Sequence, residues 1–246
     1  MVGGGYTGVE VAAEFSQIVR HDIKKLYPKA KVEISLVQSG PTILPILPEK
    51  VQKKVTARLK TFGINLILNE RAVEATSKTV HLKSGKKLKN DITIWTTGFT
   101  TYASELIDDT YIERDRMIVN PFLQSPHNED LYIVGDMALI RDPFDNEIIY
   151  PQLGEAAHRE GLYCARHIVA EMRGKKMKPF RFKAKGTLIP VGEWYGVAMI
   201  GPFIFFGKLA WWMRRTAYLA FMPGWLRRAR IAFDWTLNTF GFRHII

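Results

Sequence analysis

Cysteine is almost absent from this chain: Cys164 is the only one in 246 residues. That excludes an internal disulfide and any CxxC redox pair. Cys164 lies in "LYCARHIV", a helical pattern, and reads as a small packed residue. Long apolar runs are missing too. The longest uncharged apolar stretch, "WYGVAMIGPFIFFG", is interrupted by Pro202, and a spanning helix needs about 20 apolar residues. The start lacks the basic, apolar, small-residue order of a secretory signal. No Cys/His cluster offers a metal site, and no repeat or low-complexity segment interrupts a globular composition. Acidic residues are the minority, 24 Asp and Glu against 35 Lys and Arg, for a formal charge of +11. Such a balance points to an anionic partner: phosphate, a membrane surface or nucleic acid.

What is present is ordered. Residues 6 to 26 read as a helix, "KVEISLVQ" (31 to 38) as a strand, and "PEKVQKKVTARLKTF" as an amphipathic helix stopped near Gly63. "INLILN" follows as a strand. Residues 72 to 98 read as short antiparallel strands with a turn at Ser84-Gly85, then a buried strand at 91 to 96. A βαβ order with an inserted meander predicts an α/β dinucleotide-binding domain over 1–99. A second unit, 100–185, has strands at "RMIVN" and "DLYIVGD" and a long helix in "QLGEAAHREGLYCARHIVAEMRG", ending at Gly174. The composition shifts near 186. Beyond it lie Trp194, Trp211, Trp212, Trp225 and Trp235, with Arg and Lys far outnumbering Asp and Glu.

The most informative stretch is "VGGGYTGVEVAAEF". Gly3, Gly5 and Gly8 have the G-x-G-x-x-G spacing, followed by a helix and then a strand ending at Gln38. Gly3 permits the tight turn, Gly5 lets the backbone approach a pyrophosphate, and Gly8 allows close helix–strand packing. The helix N-terminus then offers free N–H groups and its positive dipole end to the phosphates. Only Met1 precedes Val2, so the strand that should feed the loop is nearly absent. An acidic residue at the end of the second strand would bond an adenosine ribose and repel a 2′-phosphate. Gln38 bonds a hydroxyl without carrying charge, and Ser39 beside it can donate to a phosphate, so NADH and NADPH both stay open. The plainer alternative is that Gln38 is a polar strand end.

Asp136 follows "LYIV" and Gly135, at the C-terminal end of a strand, where ligands bind in open α/β sheets. The alternative is a helix N-cap. In the tail, "FFGKLAWWMRRTAYLAF" reads as a helix with Leu209, Trp212, Met213 and Leu219 on one face and Lys208, Trp211 and Arg215 on the other. "WLRRARIAFDWTLN" repeats the pattern, with Leu226, Ala229, Phe233 and Leu237 against Arg227, Arg230 and Asp234. Apolar faces, interfacial Trp and Tyr and cationic flanks describe helices lying in a membrane interface. A dimer interface or a helical pair capping the core is the competing reading. The aromatics lie on apolar faces with no recognition motif, so no nucleic acid is expected.

"VGGGYTGVEVAAEF", "LVQSGPTILP", "TIWTTGF", "LYIVGDMA" and "PQLGEAAHREG", in this order, resemble the two-dinucleotide-binding flavoproteins, and among them the type II NADH dehydrogenases. The resemblance implies FAD and NADH or NADPH as cofactors, a quinone as acceptor and membrane lipids as partner. It also implies a peripheral place on the cytoplasmic face of a membrane, with a homodimer open. By resemblance, Thr96, Thr97 and Gly98 lie where the chain leaves the NADH domain. Glu10 stands near the nicotinamide, Asp136 holds the flavin ribityl chain, and Leu153 is counted with the flavin contacts. A complete FAD-binding half precedes the NADH fingerprint in that family. The resemblance therefore implies a C-terminal portion: residues 1–99 the NAD(P)H domain, 100–185 the returning part of the FAD domain, 186–246 a basic aromatic anchor. It also implies that this portion alone does not hold FAD tightly.

"PQLGEAAHREG" departs from the family, whose members commonly show an Ala-Gln pair and a second Gln four residues after the first, near flavin and quinone. Those positions here are Gly154, Glu155 and Arg159. Glu155 is the candidate catalytic residue, a proton relay to a reduced quinone. Pairing of Glu155 with Arg159, at i and i+4, is the simpler alternative. His158 reads as an ordinary satisfied histidine. Disulfide and sulfide:quinone reductases share the scaffold by resemblance but need paired thiols, which argues against sulfur chemistry here. Two rival readings remain: a flavin reductase with a soluble acceptor, and an inactive nucleotide-binding or membrane-associated protein.

Overall fold

In the computed structural model of the chain, residues 1–98, 101 and 109–239 are described. The chain divides into two compact units, Met1–Thr97 with Gly186–Ile246, and Gly98–Lys185. The composition shift near 186 is thus the point where the chain returns to its first unit. It does not open a third one.

The first unit is built on a short parallel sheet. β1 (Ser35–Val37) pairs with β2 (Asn65–Ile67), Leu36 opposite Leu66. Val2 bridges Val37 on one side and Trp95 on the other, both in parallel. Met1–Gly3 is bonded on both sides. Val37 N–H donates to the Met1 carbonyl at 2.9 Å, Gly3 N–H to Val37 at 2.9 Å, Val2 N–H to Ile94 at 2.9 Å and Thr96 N–H to Val2 at 2.8 Å. The lateral order, β2, β1, Val2, Trp95, is one half of a dinucleotide fold, with the loop leaving the central strand.

Two expected strands are shorter than the pattern implied. Residues 31 to 33 precede β1 outside the sheet, because their side chains are exposed and bring little apolar surface to it, and Ile34 joins only through its carbonyl, which accepts the Asn65 N–H at 2.8 Å. The buried strand expected over 91–96 is neither regular nor buried: only Trp95 bridges, and Ile92 is 71% exposed. Its apolar residues advertise a core that this edge of the unit does not supply.

α1 (Tyr6–Ile18) buries Gly8, Val9, Ala12, Ala13, Ser16 and Gln17 against that sheet. It runs on through a π-helical turn, Val19–Ile23, to a last turn at Lys24–Leu26. α2 (Glu49–Thr61) presents Val51, Val55 and Leu59 at spacings of four, all fully buried. Gly63, at φ +74°, stops it, with Gly63 N–H on Lys60 and Ile64 N–H on Leu59. β3 (Ala72–Ala75), β4 (Thr79–Leu82) and β5 (Lys87–Lys89) form the predicted meander, with Gly85 at φ +88° in the Ser84-Gly85 turn.

In the second unit β6 (Ile112–Glu113), β7 (Arg116–Ile118) and β10 (Ala138–Leu139) form one sheet. β8 (Gln124–Ser125) pairs with β9 (Asn128–Tyr132), and β11 (Arg141–Asp142) with β12 (Asp145–Ile149). α3 (Gly154–Met172) is the predicted long helix, with Gly174 at φ +63° just beyond it. Its buried stripe is Ala156, Glu160, Cys164 and His167. His167 stacks between the rings of Phe122 and Tyr163 and meets the Tyr132 hydroxyl at 2.7 Å. Burial pushes the Cys164 thiol up to about 11, with Glu160 adding to it, so it is a packed thiol and not a thiolate.

The tail begins as a sheet. β13 (Thr187–Pro190), β14 (Gly196–Ile200) and β15 (Phe203–Gly207) are antiparallel, and Ile189, Val191 and Val197 join the core around α1 and α2. The helix expected from residue 205 therefore starts later. Phe205 and Phe206 pair with Ala198 and Val197, and Gly207 at φ +76° turns the chain into α4 (Lys208–Phe221). Gly196 lets α4 approach, since a Cβ there would meet the Trp211 nitrogen at 3.1 Å. Ala210 is the buried residue of α4, and Trp211, assigned above to the polar face, packs against Trp194 at 4.5 Å. α5 (Trp225–Thr239) is joined to α4 through Arg215, whose guanidinium lies over Trp211 (3.8 Å) and Trp235 (4.8 Å). Leu209 and Trp212 on α4, and Trp225, Leu226 and Phe233 on α5, remain exposed. Among the described residues no helix is long and apolar enough to cross a membrane.

Candidate cofactor sites in the two units

The glycine loop is shaped by contacts that only glycine permits. Gly3 sits at φ +110°, and a Cβ there would meet Thr96 Oγ1 at 2.6 Å and Thr97 Cγ2 at 2.7 Å. A Cβ on Gly8 would run into the Gly3 carbonyl oxygen, so Gly8 sets how closely α1 crosses the strand. Gly5 differs: a Cβ there would meet nothing within 4 Å. The open space lies at the N-terminus of α1, which has Gly5 as N-cap, no side-chain cap and no acid in its first turn. Uncapped N–H groups beside open space are what a pyrophosphate needs. The geometry fits the phosphates of a dinucleotide at Gly5 and assigns Gly3 and Gly8 to the shape of the turn.

Gln38 is not a bare strand end. Its Oε1 accepts the Gly4 N–H at 2.9 Å, holding the loop open from β1. Leu44 N–H donates to the Gly4 carbonyl at 2.7 Å, with Leu44 itself at φ +50°. Thr96 Oγ1 donates to the Val2 carbonyl at 2.8 Å. Thr97 is exposed, its carbonyl taken by the Trp95 indole N–H at 3.2 Å, and Gly98 is exposed at φ +66°. Glu10 stands in the second turn of α1, half-buried. Burial pushes its carboxyl up, while the positive charge of Arg214 on α4 pulls it back. Burial likewise pushes the Tyr6 hydroxyl up, against a hydrogen bond with Thr187.

In the second unit a shallow concavity is lined by Asp136, Ile140, Tyr150, Gln152, Leu153 and Glu160, among others. Asp136 is exposed, in a 3₁₀ turn (Gly135–Met137) that follows β9 by a few residues. Its carbonyl accepts the Gln152 Nε2 at 2.9 Å. Leu153 is the N-cap of α3, without a side-chain cap. Glu160 accepts the Gly135 N–H at 2.6 Å, and burial pushes its carboxyl up, with the Asp136 charge adding to it. Asp136 and Leu153 are thus brought together. Glu155 is not among the lining residues: it pairs with Arg159 at 2.5 Å, and Arg159 donates onward to the Lys183 carbonyl. The pattern missed Gln152 and Glu160. The signal for Glu160 was available, since it is the one carboxylate on the apolar stripe of α3.

A parallel sheet with an uncapped glycine loop at its central strand, in a chain that also carries a second α/β unit with a concavity of its own, defines a dinucleotide-binding oxidoreductase fold. NDH2 from Plasmodium falciparum, solved with NADH, shares that fold at a TM-score of 0.86 and 18% identity, covering 100% of this chain and 66% of the other. Residues 1–161 match the pyridine nucleotide-disulphide oxidoreductase family, and the chain belongs to it. The type II NADH:quinone oxidoreductase of Haemophilus influenzae is 31% identical over 198 residues, 78% of this chain and 44% of that protein. Ndh of Mycobacterium tuberculosis, also a type II NADH:quinone oxidoreductase, is 25% identical over 253 residues, 97% of this chain and 53% of that protein. The chain spans about half the length of these curated relatives.

Proposed function

We propose that this chain supplies the nucleotide-binding unit and part of the flavin-binding unit of an oxidoreductase that passes electrons from NADH or NADPH through FAD to a quinone. The observation that carries the reading is the open, uncapped loop at Gly5 in a chain whose relatives are named type II NADH:quinone oxidoreductases. Gly5 and the first N–H groups of α1 hold the pyrophosphate, while Gln38 fixes Gly4 and leaves an uncharged amide facing either nucleotide. Glu10 lies beyond them on the same helix, towards the nicotinamide end. Asp136, Gln152 and Leu153 hold the flavin side, with Thr97 and Gly98 at the passage between the units. FAD, when bound, supplies the two-electron redox chemistry; the side chains position donor and acceptor. Glu155 is the proposed proton relay to the reduced quinone, parting from Arg159 when it takes up the proton that it then hands on. The exposed apolar residues of α4 and α5, flanked by Arg227, Arg228 and Arg230, support a peripheral seat on a lipid surface.

Equilibrium titration with NADH, followed by NADH-driven reduction of a short-chain quinone with added FAD and vesicles, tests this. Saturable NADH binding that Gly5→Asp abolishes, and quinone-dependent NADH oxidation, are expected. NADH binding that Gly5→Asp leaves intact removes the basis of the reading.

A further inference from the structure

Gln38 stands at the strand end where an acid would reject a 2′-phosphate, and its amide is already engaged. Its Oε1 holds the Gly4 N–H. Its side chain lies so close along the glycine loop that a Cβ on Gly4 would meet its Cβ, Cγ and Cδ at 3.1 Å. An acid reaches the same place from the neighbouring strand. The chain leaving β2 folds over the end of β1. Gln38 N–H donates to the Ile67 carbonyl at 2.8 Å, Asn69 N–H to Gly40 at 3.0 Å and Glu70 N–H to the Gln38 carbonyl at 3.1 Å. Asn69, at φ +56°, makes the turn, a conformation that asparagine tolerates.

Glu70 therefore sits beside Gln38, at the C-terminal ends of β1 and β2. It is half-buried, and among the described residues its carboxylate makes no hydrogen bond and no ion pair. Two cations follow it in the same ladder: Arg71, and Lys83, whose N–H donates to the Arg71 carbonyl at 2.8 Å. Both are exposed and leave Glu70 unpaired. With the pyrophosphate at Gly5, the adenosine half of a dinucleotide lies over the end of β1, where the ribose hydroxyls meet the strand end. We propose that Glu70 sets the nucleotide preference. Its carboxylate accepts the ribose hydroxyls and repels a 2′-phosphate, so that the unit takes NADH rather than NADPH. The inference rests on the nucleotide reading above and adds which nucleotide is chosen, and by a residue one strand away from the usual position.

Calorimetric titration of the full chain with NADH, NADPH, adenosine 5′-diphosphate and its 2′-phosphorylated counterpart tests this. The two fragments report on the adenosine end alone. The wild type is expected to prefer the nucleotide and the fragment without the 2′-phosphate by about tenfold or more. Glu70→Gln should remove most of that preference, chiefly by tightening the 2′-phosphorylated ligands, and Glu70→Lys should invert it. The wild-type preference should also shrink between about 0.1 M and about 1 M salt, as the Debye length falls from about 10 Å to about 3 Å. The Glu70→Gln ratio should stay flat, which a merely structural role for Glu70 would not produce. An unchanged ratio in both variants overturns the proposal, as does equal weakening of all four ligands. So does a wild type that prefers the 2′-phosphorylated ligands and loses that preference on Arg71→Gln, because the phosphate then sits on the arginine. These outcomes leave NADH binding at Gly5 standing. Saturable binding of none of the four ligands overturns the nucleotide reading and this proposal together.

Discussion

Replacing Gly8 and Gly5 by alanine, one at a time, separates the shape of the nucleotide loop from its ligand contact. At Gly8 the new methyl lands on the Gly3 carbonyl oxygen and lies 2.9 Å from Thr96 Oγ1. Neither can easily yield. Gly3 is pinned by its N–H bond to Val37 and by its φ of +110°, and Thr96 Oγ1 is bonded to the Val2 carbonyl. Forcing a methyl into such a place costs about 1–3 kcal/mol, and losing the Thr96 bond adds about 1 kcal/mol. The helix propensity of alanine returns about 1 kcal/mol. The net is a loss of about 1–3 kcal/mol, a drop of about 2–4 °C in the melting midpoint per kcal/mol for a chain of this size. At Gly5 the methyl meets nothing, and the φ of −76° suits any residue. Stability should stay within about 0.5 kcal/mol, but the methyl occupies the space proposed for the pyrophosphate. NADH affinity should fall by about tenfold or more, about 1.4 kcal/mol. Urea denaturation and fluorescence titration with NADH read the two effects. A Gly8→Ala protein as stable as the wild type refutes the packing account; a Gly5→Ala protein with unchanged NADH affinity refutes the phosphate account.

The Gln38→Glu variant keeps an acceptor for the Gly4 N–H and adds a charge facing a 2′-phosphate, so the NADPH to NADH affinity ratio should fall by about tenfold or more; titration with both nucleotides reads it. Glu160 has its carboxyl pushed up by burial in the folded state. Its folded form thus holds a proton that the unfolded form releases, and stability from this group is present at low pH and lost as pH rises through the raised value. Glu160→Gln, which can still accept the Gly135 N–H, should flatten the pH dependence of the melting midpoint above pH 4.5, the ordinary value for the group, and be no less stable at neutral pH. Neutralising Arg227, Arg228 and Arg230 should weaken binding to anionic vesicles at low salt and change little at about 1 M salt, where the Debye length is about 3 Å. Trp212→Asp should weaken binding to anionic and neutral vesicles alike, as co-sedimentation will show. Equal pelleting of the wild type with and without lipid ends the lipid reading.

The sequence by itself determined the features that depend on neighbours in the chain. Glycine spacing, the period of Val51, Val55 and Leu59, and the stop signals at Gly63 and Gly174 act within one or two turns, and each element formed where its pattern placed it. The i and i+4 spacing of Glu155 and Arg159 allowed their ion pair on the same grounds. Tertiary structure decided what depends on who covers whom. "FFG" before α4 is apolar enough for either a helix or a strand, and only pairing with β14 made it strand. The run at 91–96 has the residues of a core strand yet leaves Ile92 and Trp95 exposed, because burial belongs to the surroundings and not to the residues. Gln38 turned out to hold Gly4, a contact between positions 34 residues apart that no local period encodes.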